Sequence, residues 1–154
     1  MSPRAIVRVE AAPFDAARES ARLTKGRTDI GALVTFTGLC RDEGGALAAL
    51  EIEHYPGMAE AEIARVANEA LARWPLQGLL VLHRFGRIAP GEPIVLVAAA
   101  SQHRHEAFAA ASFLMDFMKT EAPFWKKQRL AGGGDAGWVA AKDEDEAAAG
   151  KWRS

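Results

Sequence analysis

The sequence is poor in features that mark secreted, membrane-spanning and nucleic-acid-binding proteins. It has one cysteine, Cys40, in 154 residues, which excludes an internal disulfide framework. Its longest apolar run, residues 94–100, is too short to cross a bilayer, and residues 1–6 lack the apolar core of a signal peptide. The 19 basic and 20 acidic side chains nearly cancel, so there is no chain-wide positive field to hold nucleic acid. We therefore expect a cytoplasmic protein whose cationic sites are local.

Metal ligands and phosphate-binding glycine patterns are also scarce. His103 and His105 lie two residues apart and cannot share one face of a helix, and no cysteine or carboxylate accompanies them at ligand spacing. We expect no metal site. The glycine pattern of a P-loop is missing too, which argues against a phosphoryl-transfer enzyme.

The 49% apolar share is enough for the core of one domain, which we expect to span residues 1–154. Apolar spacing of three and four predicts helices over residues 13–23, 59–74 and 102–119, with a helical turn at 147–152. Alternating and β-branched runs predict strands over residues 5–9, 31–38, 47–54, 79–85, 94–100, 124–128 and 138–141. The tail from about residue 143 is predicted to be flexible or to contact a partner.

Three segments rich in glycine or proline are predicted to be turns. Residues 42–45 favour a hairpin between the strands at 31–38 and 47–54, and residues 86–93 favour a turn region between two later strands. The glycines at 132–134 allow two interpretations. They form either a mobile lid beside neighbouring lysines or an ordinary hairpin loop.

Cations gather around the helix predicted at residues 102–119. Arg104 lies at its start, where a cation opposes the helix dipole, and Lys119 lies at its end. An anionic ligand held by free backbone N–H groups would offset the cost at the start, and His103 lies at the same strand-to-helix junction. The pattern predicts an anion site. The alternative for Lys119 is a charge that merely stabilises the helix C-terminus.

Lys126 follows an aromatic pair in the strand predicted at residues 124–128. Strand alternation places it on the packed face with Phe124, and places Lys127 on the other face. Burial and a neighbouring cation such as Arg41 would lower the pKa of the Lys126 amine, making it a candidate base or nucleophile. For Arg41 the alternative is a solvated turn charge. Cys40 beside it is more typical of a small packing residue than of a reactive thiolate.

Several short motifs occur together in a specific order along residues 31–138. Because of these motifs and their order, the chain resembles the MoaE family, the catalytic large subunits of molybdopterin synthase. The motif at 119–126 is the most specific of them. The motifs are VTFTG at 34–38 followed by Arg41, EHYPGM at 53–58, RWP at 73–75, HRFG at 83–86, PGE at 90–92, HR at 103–104, MD at 115–116 and KTEAPFWK at 119–126.

The resemblance implies an α+β protein with an α/β hammerhead fold and an additional small antiparallel β subdomain. It also implies a homodimer whose two ends each bind a small ubiquitin-like sulfur-carrier subunit of the MoaD type, giving a heterotetramer. The carrier would present a C-terminal Gly-Gly thiocarboxylate, and two sulfurs would pass to cyclic pyranopterin monophosphate to form the dithiolene of molybdopterin. No bound cofactor is implied.

The same resemblance assigns roles to particular residues of this chain. Lys119 and Lys126 would be catalytic, and the substrate would be bound by Arg41, His103, Arg104, Lys127, Gln128, Leu39 and Cys40. Both the phosphate of the substrate and the thiocarboxylate of the carrier are anions, so these cations are expected to share one site. The alternative is a binding module without catalytic activity, which would hold an acidic peptide tail or a phosphorylated metabolite through the same cations.

Overall fold

The computed structural model describes residues 5–139 and 143–153, and these residues form two sheets with four helices. A single helical turn, Glu43–Gly45, lies between the second and third strands. In chain order the elements are β1 (Ala5–Glu10), α1 (Ala16–Thr24), β2 (Ala32–Leu39), β3 (Leu47–His54), α2 (Met58–Arg73), β4 (Leu76–Arg84), β5 (Gly86–Ile88), β6 (Pro93–Ser101), α3 (Arg104–Thr120), β7 (Phe124–Leu130), β8 (Asp135–Val139) and α4 (Asp143–Gly150).

The first sheet has the strand order β1-β4-β6-β2 and forms the centre of the protein. β1 runs parallel to β4, whereas β6 is antiparallel to both of its neighbours, β4 and β2. Helices α2 and α3 pack on one face, and α1 covers the other. Because both faces are covered, the two central strands β4 and β6 are buried at almost every position.

The second sheet has the order β5-β3-β7-β8 and is antiparallel throughout. It matches the small antiparallel subdomain expected from the sequence, and the α+β class is confirmed. The predicted hairpin between β2 and β3 is wrong, because these strands lie in different sheets. At the end of β2, Cys40 N–H donates to the Glu92 carbonyl at 2.9 Å, and Gly91 N–H donates to the Cys40 carbonyl at 2.7 Å. These bonds hold the chain beside the start of β6, and the glycine turn then leads it into the second sheet.

The region predicted as a turn at residues 86–93 contains the short strand β5, which pairs with β3. Gly86 has a φ of 85°, a conformation favoured by glycine, and this allows the chain to leave β4 and join the other sheet at once. A single strand of three residues surrounded by Gly and Pro carries too little periodicity to be read from sequence. The other predicted strands and helices are present, with bounds shifted by a few residues.

The glycines at 132–134 form the turn of the β7–β8 hairpin. Gly133 N–H donates to the Leu130 carbonyl at 3.0 Å, and Leu130 N–H donates to the Gly134 carbonyl at 2.8 Å. This geometry favours the hairpin interpretation over the lid. β8 begins at Asp135, earlier than predicted, and residues 140 and 141 of the predicted strand lie outside the described residues. Residues 1–4, part of the segment that lacks the apolar core of a signal peptide, also lie outside the described residues.

The described part of the C-terminal tail packs on α3. The Trp152 indole N–H donates to the Asp116 carboxylate, and its ring meets Phe113 edge to face at 5.5 Å between centroids. The Arg73 guanidinium donates to the Trp152 carbonyl at 3.0 Å, which links the tail to α2. Within residues 5–139 and 143–153, no helix is long and apolar enough to span a membrane.

Helix α3 starts only two residues after β6 and packs against β6 and β2, so it must run back along them. The start of the helix is held by a close approach of Gly31 to Gln102. A Cβ atom on Gly31 would lie 2.2 Å from the Gln102 carbonyl oxygen, and Gly31 N–H donates to the Ser101 carbonyl at 3.0 Å. This position therefore has no room for a side chain.

We expect Gly31→Ala to lower the free energy of unfolding by about 1–3 kcal/mol, because the backbone at Gln102 must shift to relieve the overlap. Thermal denaturation measures the effect. Gly132→Ala is the matched control, since no atom lies within 4 Å of a Cβ at that position, and its midpoint should change little. Equal midpoints for the two variants would contradict the close approach at Gly31.

Candidate functional site

The two predicted catalytic lysines lie where the two sheets meet. Val95 lies near the start of β6 and pairs with Gly38 of β2 on one side and with His83 of β4 on the other. These three residues mark one end of the first sheet. Because α3 runs back along β6, its last turn with Lys119 returns to the same level. The chain then turns through residues 121–123, where Phe124 N–H donates to the Ala122 carbonyl at 2.8 Å, and enters β7. Lys119 and Lys126 are thus carried to one end of the sheet by different elements.

Lys126 is a partly buried amine on the inner face of β7. It pairs with Ile52 of β3 and Val139 of β8, and shares its face with Phe124, as alternation predicts. Burial is the main cause that lowers the pKa of Lys126 to about 8, and the positive charge of Lys119 lowers it further. The Asp145 carboxylate of α4 acts in the opposite direction. The predicted fall in the pKa is confirmed, and the neighbouring cation that contributes is Lys119.

Lys119 lies in the last turn of α3, is exposed, and is close enough to Lys126 for its charge to affect both Lys126 and His83. Its position at a helix C-terminus stabilises the ammonium group. The pair therefore consists of an exposed cation beside a partly buried amine that is readily deprotonated. Such a pair can both bind an anion and exchange a proton.

An aromatic cluster that sequence reasoning missed lies beside Lys126. The buried His83 ring stacks on Phe124 at 3.8 Å between centroids with an interplanar angle of 12°. His54, opposite Phe124 in the β3–β7 pair, lies 4.3 Å from the Phe85 ring. The sequence does contain one signal for this cluster, because His83 is a histidine that interrupts the apolar run of β4.

His103 and Arg104 lie at the other end of α3. His103 is the residue before the helix, makes no side-chain capping bond, and its carbonyl accepts a hydrogen bond from the Ser101 hydroxyl. Both side chains are exposed, and the free N–H groups of the first turn lie beside them. Arg104 and Lys119 are fifteen residues apart on one helix, which at 1.5 Å per residue separates their backbones by about 22 Å. Within one chain, the structure therefore does not bring His103 and Arg104 together with the two lysines.

Leu39 ends β2 at the lysine end of the sheet, and Cys40 and Arg41 follow it directly. Arg41 is exposed, and Leu39 is 57% exposed. Cys40 differs, since it is 4% exposed and its thiol points to the Ile88 carbonyl oxygen at 3.8 Å. Burial raises the pKa of this thiol, which fits the packing role expected from the sequence.

Lys127 lies on the outer face of β7, as alternation predicts, and Gln128 lies on the same face as Lys126. The Lys127 amine forms an ion pair with Asp135 at 3.1 Å and lies 5.3 Å from the centre of the Trp138 ring. These contacts direct Lys127 away from Lys126. The structure therefore does not bring Lys127 together with the two catalytic candidates.

The described residues contain no group of three or more histidine, cysteine or carboxylate side chains that could hold a metal ion. The cationic side chains at the lysine end include the amines of Lys119 and Lys126 and the guanidinium of Arg41. These cations suit an anionic substrate, and the depressed pKa of Lys126 suits proton transfer near neutral pH. The site thus fits acid–base and charge-stabilising chemistry on an anion.

Comparison with known proteins gives one consistent family. The family model described as "MoaE protein" matches residues 9–121. The molybdopterin synthase catalytic subunit of Mesorhizobium japonicum is 63% identical over 148 residues, covering 96% of this chain and 93% of that protein. The corresponding subunit of Escherichia coli is 44% identical over 142 residues, covering 91% and 93%. The solved structure of a MoaE protein from Burkholderia ambifaria is 43% identical with a TM-score of 0.82, covering 97% of this chain and 99% of that chain.

We expect Lys126→Met to stabilise the fold at neutral pH. The amine has a pKa of about 8 when folded, against an ordinary value near 10.5, so the unfolded chain binds more protons between these two pH values. Wild-type stability must rise with pH across that window, and the burial penalty is fully present below it. The free energy of unfolding of the variant should exceed that of the wild type by about 3 kcal/mol at pH 7, apart from any packing effect that does not vary with pH. This difference should disappear by about pH 10.5.

Denaturant unfolding of the two proteins at several pH values measures this difference. Lys25→Met is the matched control, because it removes a lysine amine that is exposed instead of buried. A stability difference between Lys126→Met and the wild type that stays constant with pH would contradict burial of the amine.

Proposed function

We propose, because this chain belongs to the MoaE protein family, that it is the catalytic subunit of a molybdopterin synthase in molybdenum cofactor biosynthesis. It transfers sulfur from the C-terminal thiocarboxylate of a small carrier subunit to cyclic pyranopterin monophosphate. The observation that carries the mechanism is the pairing of a partly buried amine, Lys126, with the exposed Lys119. The reaction takes place in the cytoplasm.

The chemistry of the transfer defines what the two lysines must do. The thiocarboxylate sulfur forms a bond to a carbon of the pterin substrate as a bond from that carbon to oxygen breaks, the oxygen leaving with the phosphate or as water. The acyl–sulfur bond then breaks as water supplies the oxygen of the released carboxylate. Negative charge develops on the acyl oxygen during this cleavage, and an ammonium group beside it lowers the barrier. In this proposal Lys119 meets the carrier tail, which is supported by its exposure at the end of α3.

Lys126 serves in proton transfer or charge stabilisation as the cyclic phosphate of the substrate opens. A general acid or base works best when its pKa is near the working pH, and the pKa of about 8 for Lys126 meets that condition. Leu39, Arg41 and Gln128 complete the substrate pocket at this end of the sheet. Cys40 and Lys127 have no direct contact with substrate in this proposal, because Cys40 is buried and Lys127 is engaged on the other face.

The separation along α3 bears on where the substrate phosphate is held. The backbones of Arg104 and Lys119 lie about 22 Å apart at opposite ends of one helix, farther than one small substrate can span. A homodimer supplies a solution if the helix start of one copy lies beside the lysines of the other. We therefore propose that each site is composite, with the lysines from one protomer and the cationic helix start from its partner.

The carrier subunit is proposed to be of the ubiquitin-like MoaD type, with a Gly-Gly tail that enters beside Lys119. A structure from Helicobacter pylori titled as a complex of subunits 1 and 2 of molybdopterin-converting factor has the same fold, with a TM-score of 0.63 at 18% identity. Two carriers on one homodimer give the heterotetramer. A binding module without catalytic activity would also hold such a tail, but it has no need of an amine with a depressed pKa.

We expect Lys119→Ala to lower kcat at least 100-fold while carrier binding remains nearly unchanged, because the amine acts on charge that develops during reaction. The assay mixes the chain with thiocarboxylated carrier and cyclic pyranopterin monophosphate, and detects molybdopterin as its oxidised fluorescent derivative. Lys25→Ala, at an exposed position, is the control and should remain active. A wild-type chain that binds the carrier stably and forms no product would instead support the binding module.

We expect Arg104→Ala to raise the KM for the pterin substrate by about 10-fold or more, because a charge-assisted contact to phosphate is lost. The composite site makes a sharper prediction about mixtures. If Lys119→Ala is refolded or coexpressed with Arg104→Ala, mixed dimers contain one intact site and one site that lacks both residues. Statistical mixing should restore about a quarter of wild-type activity at low substrate concentration.

Arg22→Ala, which removes an exposed cation on α1, serves as the matched control for Arg104→Ala and should leave KM unchanged. A mixture no more active than the average of the two separate variants would contradict the composite site. An unchanged KM in Arg104→Ala would remove this residue from phosphate binding.

A further inference from the structure

His83 is a buried polar residue that the mechanism above does not use. It is 3% exposed and lies in β4, whose sequence LQGLLVLHR has no other polar side chain between Gln77 and the final arginine. Burying an imidazole costs free energy unless its polar atoms find partners, and an aliphatic side chain would avoid that cost. The surroundings of His83 therefore need an explanation beyond core packing.

The ring is held in one tautomer. Its Nδ1 atom lies 2.7 Å from the Arg84 carbonyl oxygen, and since a carbonyl only accepts, Nδ1 carries the hydrogen. Burial lowers the pKa of His83 to about 3, and the charges of Lys126 and Lys119 contribute to the fall, as does His54. The imidazole is neutral near pH 7, so it adds no third cation beside the two lysines.

The ring also joins the two sheets at the level of Lys126. His83 belongs to the first sheet, and it stacks on Phe124 of the second sheet with centroids 3.8 Å apart. Phe124 and Lys126 are two residues apart on the same face of β7. A flat stack of this kind fixes the distance and tilt of the start of β7 relative to β4. The lysine amine two residues later is fixed with it.

We propose that His83 is a positioning residue, whose ring stacks on Phe124 and thereby holds Lys126 beside Lys119 in a partly dehydrated setting. The inference deepens the proposed function, on which its catalytic part rests. A misplacement of about 1 Å can cost a catalyst 100-fold in rate, so the stack has a direct effect on turnover. His83 itself does not touch the substrate.

Three variants test this role. His83→Ala removes the stack, and His83→Phe keeps a flat ring but lacks the Nδ1 hydrogen. Leu82→Ala is the matched control, because Leu82 is fully buried in the same strand but packs in the separate cluster beneath α1. It should destabilise the sheet to a similar or greater extent without reaching β7.

The first readout needs no activity. Acetic anhydride labelling of Lys126 from about pH 6 to about pH 11, followed by mass spectrometry, gives the pKa of its amine. We expect His83→Ala to raise that pKa by about one unit or more, because water enters the space left by the ring. We expect His83→Phe and Leu82→Ala to keep the wild-type value.

The second readout is the steady-state rate of molybdopterin formation. We expect kcat to fall about 10- to 100-fold in His83→Ala with KM for the pterin substrate little changed, and to stay within about 3-fold of wild type in His83→Phe. The proposal is overturned if His83→Ala matches Leu82→Ala in both readouts. It is also overturned if His83→Phe loses as much as His83→Ala, since the ring stack would then not be the cause.

The two readouts separate this proposal from the proposed function. A wild-type chain that forms no molybdopterin would refute the proposed function, and the labelling comparison would still decide whether His83 positions Lys126. A wild-type chain that is active, with labelling and kcat insensitive to His83, would refute the positioning role alone.

Discussion

The antiparallel return of α3 along β6 is the constraint on which the rest of this structure depends. Only two residues connect the strand to the helix, and Gly31 allows the backbones to approach closely at that connection. A helix of seventeen residues is about 26 Å long and a strand of nine is about 30 Å long, so the helix ends close to where the strand began. Lys119 is placed at the junction of the two sheets by this match of lengths.

The position of Lys126 close to Lys119 has an electrostatic cost in free energy. An ammonium group at Lys126 loses part of its hydration and lies near a second cation, so the folded protein favours its neutral form. The neutral His83 ring and the opposing Asp145 carboxylate keep this cost from growing. A structural lysine would gain nothing from such a position, whereas an amine that exchanges protons near neutral pH does.

Local structure could largely be predicted from the sequence, because it depends on short-range periodicity and turn chemistry. The spacing of Ile63, Val66 and Ala70 is enough to identify α2, and alternation is enough to place Lys126 and Lys127 on opposite faces of β7. The pairing of β3 could not be predicted, because a glycine turn gives no information on which distant strand lies nearby. The stacking of His83 on Phe124 was inaccessible for the same reason, since it joins different sheets.

The distance between Arg104 and Lys119 is a different case, because it follows from helix length alone. Once residues 102–119 are accepted as a helix, the two cations cannot meet on one small ligand within one chain. Arg104 and Lys119 are close in sequence, but the helix between them holds them far apart in space. The separation makes oligomerisation a condition for the proposed phosphate contact, because a rigid helix cannot fold back on itself. In the proposed composite site, the phosphate is bound at one helix end and the charge-stabilising amines lie at the other, each supplied by a different copy of the same chain.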